Sequence, residues 1–289
     1  RPAMPPRIAT PPATSDPVAP LSRPADPGGG GSALSRMLDI FDLFSPDATI
    51  IQIDDVAEHL GVGRSTAYRY LQELGERGFL VQRGKGRYAL GPRVIELERL
   101  LQNSDPLLNA GKVVMADLAD LCQNRTLLLC TLFKDRVLCT HQVGANDIVY
   151  NKEKMPIYRG RGSVLPLFQG AGSQSILAYL APHQIRALYL AKAAEIRDAG
   201  LGDDWKSFRG ALAAIRKQGY AATVGRRNAK VLALAVPVLT MAGQVVGSLL
   251  LLSPNTEKER ETVLGVVPRL QDASRRIGEL EDKPVGARN

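Results

Sequence analysis

Three cysteines, three histidines and one tryptophan in 289 residues leave little material for disulfide, metal or redox chemistry. Cys122, Cys130 and Cys139 are an odd number, spaced as neither a C-x-x-C pair nor a zinc knuckle, and are expected to be small buried hydrophobes. His59, His141 and His183 lie far apart in the chain, so no metal and no cofactor is expected. No run approaches the ~18 to 20 uncharged apolar residues of a membrane span. The longest candidate, Val231 to Leu252, is broken by Pro237, Thr240, Gly243 and Gln244 and reads as two strands. Residues 1–32 also lack the apolar core, about 7 to 15 residues long, of a signal peptide. A cytoplasmic location without a membrane partner is expected.

What the chain has is positive charge, and it is unevenly placed. The formal net charge is +8. Residues 33–62 carry Arg36 against six acids, whereas residues 63–93 carry Arg64, Arg69, Arg77, Arg83, Lys85, Arg87 and Arg93 against only Glu73 and Glu76. A net +5 within 31 residues points to a polyanionic partner for that stretch.

Nine of the nineteen prolines fall in residues 1–32, which end in a glycine run. Such a segment cannot bury enough apolar area to offset its ordering entropy, so a disordered tail is expected over 1–32. The chain begins at Arg1 rather than a methionine, which fits a trimmed segment. Helical spacing then starts at Ser32 to Ser35, with a second helix from about Asp54 to Leu60, closed by Gly61. A third helix spans Arg64 to Arg77. Phe79–Arg83 and Arg87–Leu90 read as strands around a Gly84-Lys-Gly86 turn. Helix, helix, turn, helix, hairpin is the winged helix-turn-helix order, assigned to 33–91. Pro92 opens a linker helix over 92–105. Residues 106–282 alternate helices (Leu107–Asn124, Gly172–Leu180, Pro182–Ala191, Asp203–Gln218, Thr256–Leu280 kinked at Pro268) with hairpin strands (Thr126–Phe133 with Val137–Val143, Val231–Leu239 with Gln244–Leu252). The expected class is α+β, an antiparallel sheet flanked by helices, followed by a disordered tail over 283–289.

The third helix carries the chemistry. Counting about 100° per residue from Arg64, Ser65, Tyr68, Arg69 and Gln72 fall at about 100°, 40°, 140° and 80°, while Ala67, Tyr70, Leu71 and Leu74 cluster near 240° to 340°. A recognition helix needs that division, one face on the core and the other in the major groove. Arginine bridges guanine O6 and N7, and glutamine adenine N6 and N7. Ser65 and Thr66 sit where a helix start bonds phosphate. Lys85 and Arg87 at the hairpin tip are placed to neutralise phosphates. An ordinary solvated helix face explains the polar stripe alone; the Gly61 turn, the basic switch and the basic hairpin tip together favour duplex DNA.

The segments "IDDVAEHLGVGRSTAYRYLQELGERGFL" and "GRYALGPRVIEL" resemble the first domain of the IclR family of bacterial regulators. Farther on, "GSVLPLFQGAGSQSILAYL" and "GYAATVGRRNAKVLALAVPVLTMAGQVVGSLLLLSP" resemble its second, so the likeness spans roughly residues 33–282. The resemblance implies a GAF-like α/β effector domain, a homodimer or tetramer, pseudo-palindromic operators and control by a small metabolite. It also implies that Arg161, Gly162 and Ser163, with the helix bearing Ser173 and Ser175, border the effector pocket. Two departures concern that pocket. The family usually has acidic residues after the glycine matching Gly219, where this chain has Thr223, Arg226 and Arg227. Its glycine-lysine at the helix entry is Ser173-Gln174 here.

With Arg226 and Asn228 near the pocket, the effector is expected to be a small anion such as a carboxylate, held by an arginine fork and a helix N-terminus. The alternative is that Arg226 and Arg227 are solvated turn residues. Dimerisation of the first domain is expected through Met37, Phe41, Ile95 and Leu97. A rival reading, a thiol-active GAF-like enzyme fused to a DNA-binding domain, would rest on Cys130 and Cys139. Gly172 to Ser175 fails the spacing of a nucleophile elbow, and a purely architectural DNA protein leaves the second domain without a task.

Overall fold

The computed structural model describes residues 32–134, 136–157, 160–225 and 228–282. Apart from Ser32, the two expected tails lie outside them. The chain divides into two compact units between Ser104 and Asp105.

The first unit opens with α1 (Ala33–Asp39), capped by the Ser32 hydroxyl, and a 3-10 turn over Ile40–Leu43. A two-residue strand, β1 (Ile51–Gln52), leads into α2 (Ile53–Leu60), where the Asp55 carboxylate accepts from the Gln52 N–H. Gly61 closes α2 at φ 61°, a left-handed turn that a side chain would strain. Then follow α3 (Arg64–Glu76), β2 (Leu80–Gln82), β3 (Arg87–Leu90) and α4 (Arg93–Ser104). The strands form a small antiparallel sheet in the order β1-β3-β2. Ile40, Ile51, Val56, Leu71, Leu74 and Leu80 make the core. Met37 and Phe41 pack against this core and are half-buried, so the core covers each of them only in part. The exposed apolar residues of α1 are Leu34 and Leu38, one turn away. Sequence spacing did not reveal β1, which is too short to show an alternation.

The second unit begins with α5 (Pro106–Ala116), capped by Asp105. The helix expected to run to Asn124 stops at Ala116 and gives way to a 3-10 turn over Ala119–Cys122. There Asp117 and Asp120 turn toward Arg276 and Arg269, and Asn124 takes a positive φ before the next strand. Strands β4 (Thr126–Phe133) and β5 (Arg136–Gly144) form the first long hairpin. A separate ribbon, β6 (Asp147–Tyr150) and β7 (Glu153–Pro156), follows around Asn151 and Lys152, then the short strand β8 (Val164–Pro166). Helices α6 (Ala171–Leu177), α7 (Pro182–Asp198, interrupted at Lys192) and α8 (Trp205–Gln218) precede β9 (Ala221–Val224), β10 (Val231–Leu239) and β11 (Val245–Pro254). The chain then breaks at Val266 between α9 (Glu257–Gly265) and α10 (Val267–Glu281). Pro268 thus lies in the first turn of a new helix and not at a kink, because that position has no N–H bond to lose.

The main sheet is antiparallel, in the order β8-β5-β4-β11-β10-β9. Alternate residues supply opposite cores. Leu127, Leu129, Leu249 and Leu251 pack with Val114 of α5 and Leu270 and Ile277 of α10. Leu128, Cys130, Leu250 and Leu252 pack with Ile176 of α6, Ile185 of α7 and Phe208 of α8. Helices on both faces explain why the central strands are nearly continuous apolar runs.

Candidate DNA-reading face and effector region

On α3, Arg64, Ser65, Tyr68, Arg69 and Gln72 are exposed and Thr66 is half-buried, while Ala67, Tyr70, Leu71 and Leu74 are buried. The buried row fixes the rotation of the helix, so the polar row faces outward. Arg64 pairs with Asp54 at 3.0 Å across the turn from α2, and Gln72 donates to Glu76 at 3.1 Å. Both contacts are at the surface, where water screens them, so a stronger acceptor can displace them. Arg69 lies 5.9 Å from the Tyr70 ring centre. Burial, then the nearby Tyr68 phenol, pushes the Tyr88 hydroxyl of β3 above its ordinary range. Helix α3 also packs against β2, the first strand of the wing hairpin. At the wing tip the Arg83 N–H donates to the Arg87 carbonyl at 2.8 Å, and the Gly86 carbonyl accepts from Ile53 at 3.2 Å. These bonds hold Lys85 and Arg87 outward, and both are exposed. One surface therefore offers arginine and amide forks beside a cationic loop, the donor set for base edges flanked by phosphates.

The residues expected at the effector site lie along the edge of β5, in α6 and over the β6–β7 ribbon. Arg161 is exposed, and its guanidinium donates to the Thr140 carbonyl of β5. Gly162 donates to the Cys139 carbonyl at 2.8 Å, and the Ser163 carbonyl accepts from Cys139 at 2.9 Å, so this segment extends the sheet edge beside β5. Ser163 Oγ accepts from Gly160 at 3.0 Å. Ser173 and Ser175 lie in α6, wholly buried, and among the described residues their hydroxyls have no hydrogen-bond partner. At the start of α6 the first helical N–H, that of Ala171, donates to Thr223 Oγ1 at 3.1 Å. Asn228 lies over the β6–β7 ribbon, donating to Met155 Sδ at 3.5 Å and accepting from Lys230 at 3.0 Å. Lys230 in turn bonds Glu153 at 2.7 Å. Arg226 and Arg227 lie outside the described residues. The geometry thus ties Arg161–Ser163 to β5, the two serines to the buried side of α6, and Asn228 to the ribbon. The ribbon escaped the sequence reading, as did the bond from Ala171 at the start of α6 to Thr223. An Asn-Lys pair with two positive φ values makes the β6–β7 turn, where Asn-Gly would have announced it.

His141 of β5 is half-buried, and burial, then Lys112, then Arg161 hold its imidazole below the usual histidine range. The unfolded chain therefore takes up a proton here at higher pH than the folded one. The stability contributed by this residue is full above about pH 6.5 and is lost as pH falls below it toward the depressed folded value. We expect the melting temperature of the wild type to fall more steeply between about pH 7 and pH 5 than that of His141→Gln. Parallel curves for the two proteins would show that His141 does not titrate differently on folding.

A winged helix-turn-helix joined to an α/β domain defines a DNA-binding regulator. Residues 33–84 match the IclR helix-turn-helix domain, and residues 100–279 match the bacterial transcriptional regulator IclR C-terminal domain. The chain belongs to the IclR family of transcriptional regulators. The HTH-type transcriptional regulator KdgR of Escherichia coli K12 is 24% identical over 249 residues, covering 85% of this chain and 92% of that one. XynR of the same strain is 24% identical over 242 residues, covering 83% and 93%. An IclR homologue of Microbacterium hydrocarbonoxydans, solved with 4-hydroxybenzoate, superposes with a TM-score of 0.65 at 23% identity, covering 86% of this chain and 98% of that one. An IclR regulator of Alicyclobacillus acidocaldarius gives 0.67 at 21%, covering 85% and 97%.

These relatives are regulators and not enzymes, so the thiol-enzyme reading falls. Cys130 and Cys139 lie with their sulfurs 3.6 Å apart, buried in the sheet core. Among the described residues no group of three or more His, Cys, Asp or Glu is placed to hold a metal, and no helix is long and apolar enough to cross a membrane.

Proposed function

We propose that this chain is a cytoplasmic, ligand-responsive regulator that grips a pseudo-palindromic operator as a homodimer or a pair of dimers. Arg64, Arg69 and Gln72 read base edges in the major groove. Ser65, Thr66 and Tyr68 position α3 on the backbone, and Lys85 and Arg87 hold flanking phosphates. The observation that carries this reading is the division of α3 into an outward polar row and a buried apolar row, with the cationic wing beside it.

Alanine at Arg64, Arg69 or Gln72 is expected to cost about 1 to 3 kcal/mol of operator affinity and to relax base preference at the half-site position it contacts. Alanine at Lys85 or Arg87 should instead weaken specific and random duplexes alike and lower the salt slope by about one ion per protomer. Titration of labelled duplexes at several salt concentrations separates the two patterns. Unchanged affinity and specificity in all three α3 variants would mean that another surface reads the operator.

The effector is proposed to be a small organic acid held near α6, with Ser173 and Ser175 as neutral hydrogen-bonding groups and Arg161–Ser163, Arg226 and Asn228 around it. Two unpartnered hydroxyls in a buried helix are costly, about 1 to 3 kcal/mol each, and a polar ligand offsets that cost. The Microbacterium homologue solved with 4-hydroxybenzoate supports the same class.

A further inference from the structure

On the α6–α8 side of the sheet, the end of α6 and helices α7 and α8 enclose an open cavity of about 630 Å³. None of the effector residues named from the sequence lines it. Its floor is apolar, formed by Leu180, Ile185 and Leu212. One wall is Trp205, whose ring packs against Tyr189 at 5.2 Å and Phe208 at 6.2 Å between centres. The rim is cationic: Arg186 from α7 and Arg209 and Arg216 from α8, with His183 beside them and no aspartate or glutamate in the lining.

The single sign extends beyond the rim. Helix α8 carries Lys206, Arg209, Arg216 and Lys217 and no acid, and the first acid of α7 is Glu195, more than three turns along. The nearest carboxylate in sequence, Asp204, is engaged as the α8 cap by the Ser207 N–H and hydroxyl, both at 2.7 Å. Two of the arginines are already held. The Arg209 guanidinium lies 5.7 Å from the Trp205 ring centre, and Arg216 donates to the Ala178 carbonyl at 2.6 Å. Restrained cations lose less freedom on meeting an anion than solvated ones. The first turn of α7, at Pro182 and His183, adds the positive end of a helix dipole.

An apolar floor, an aromatic wall and a rim of guanidinium forks suit a ligand with a flat apolar body and an anionic head. The volume suits one such molecule. An inorganic anion would leave the floor and the Trp205 wall unmatched, and a nucleic-acid strand needs a longer basic track than one short groove. We infer that the α7–α8 groove is a second small-molecule site that binds an aromatic carboxylate, separate from the effector site proposed at α6. The carboxylate meets Arg186 and Arg209, and the ring lies against Trp205 above Leu180 and Leu212.

The groove contains its own reporter, because Trp205 is the only tryptophan of the chain. In the full-length protein, benzoate is expected to change Trp205 emission saturably, and its neutral isostere benzamide to bind about tenfold more weakly or worse. The double variant Arg186→Gln/Arg209→Gln, in which both substituted side chains are exposed, should weaken benzoate by about tenfold or more while melting as the wild type does. Arg161→Ala, at the proposed effector site, should leave the Trp205 titration within about twofold of wild type, whatever it does to operator release. Calorimetry on the same samples checks the affinities. The inference is overturned by the absence of a saturable emission change, by equal binding of benzamide, or by a titration that survives the double variant. Loss of the signal in Arg161→Ala alone would place the ligand at the α6 site instead.

Discussion

Leu97→Glu is expected to disperse the regulator's DNA-binding units and to lower operator affinity by about 10² to 10⁴, the loss that follows when two linked contacts become one. The reason lies in α4. This helix has no buried residue, yet it carries Ile95, Leu97, Leu100 and Leu101, with Ile95 73% and Leu100 61% exposed. On α1, Leu34 and Leu38 add exposed apolar surface one turn apart. Small soluble domains rarely leave so much apolar area uncovered on two helices unless another surface covers it. A second copy would do so in a way that matches a two-fold operator. A glutamate at position 97 would have to be buried without a partner in that interface, which costs far more than the lost leucine contacts. In the monomer it remains in water, so the isolated fold should survive. Light scattering and a gel-shift titration on the same sample test this. A protein of monomer mass that still holds its operator tightly would refute the dimer face, as would an undiminished dimer.

The sequence displays some of this architecture openly and conceals the rest, for identifiable reasons. The outward row of α3 is legible because a helix buried on one side must place its apolar residues about 100° apart, and Ala67, Tyr70, Leu71 and Leu74 do so. The central strands are legible because both faces are covered, leaving nearly continuous apolar runs at 231–239 and 245–254. The stripe of Met37 and Phe41 was legible, but not how far the core covers it; that depends on the hydrophobic partners, here including Phe79, whose ring lies 6.0 Å from that of Phe41. The effector region was least legible. Arg161 and Ser163 are engaged by backbone groups of β5 and of Gly160, which spacing along the chain does not encode. The α7–α8 groove was hidden for the same reason: Arg186, Trp205, Arg209 and Arg216 are brought together by helix packing across thirty residues of sequence.

Gly278→Val should be the most damaging single change in the effector domain. The row Ser274, Gly278, Asp282 follows every fourth residue of α10 along the end of β10. The Ser274 hydroxyl donates to the Pro237 carbonyl, and the Asp282 carboxylate accepts from the Met241 N–H, so both ends of the row are fixed by hydrogen bonds. Gly278 lies between them at the point of closest approach. A Cβ there would fall within bonding range of the Leu239 carbonyl oxygen and 2.9 Å from its carbon. The obstacle is backbone, which cannot swing aside as a side-chain tip would. Relief requires α10 to lift from β10, and Ile277 and Leu270 would then leave the core they share with α5. Such overpacking, compounded by lost burial, is expected to cost about 3 kcal/mol or more, on the order of 10 °C in melting temperature for a domain of this size. Gly265→Ala supplies the contrast. Its Cβ meets nothing within 4 Å at the end of α9, so the change should be neutral or stabilising by about 0.5 to 1 kcal/mol. Calorimetric melting of both variants decides the matter: equal melting temperatures would mean that α10 is not seated on β10 through this glycine.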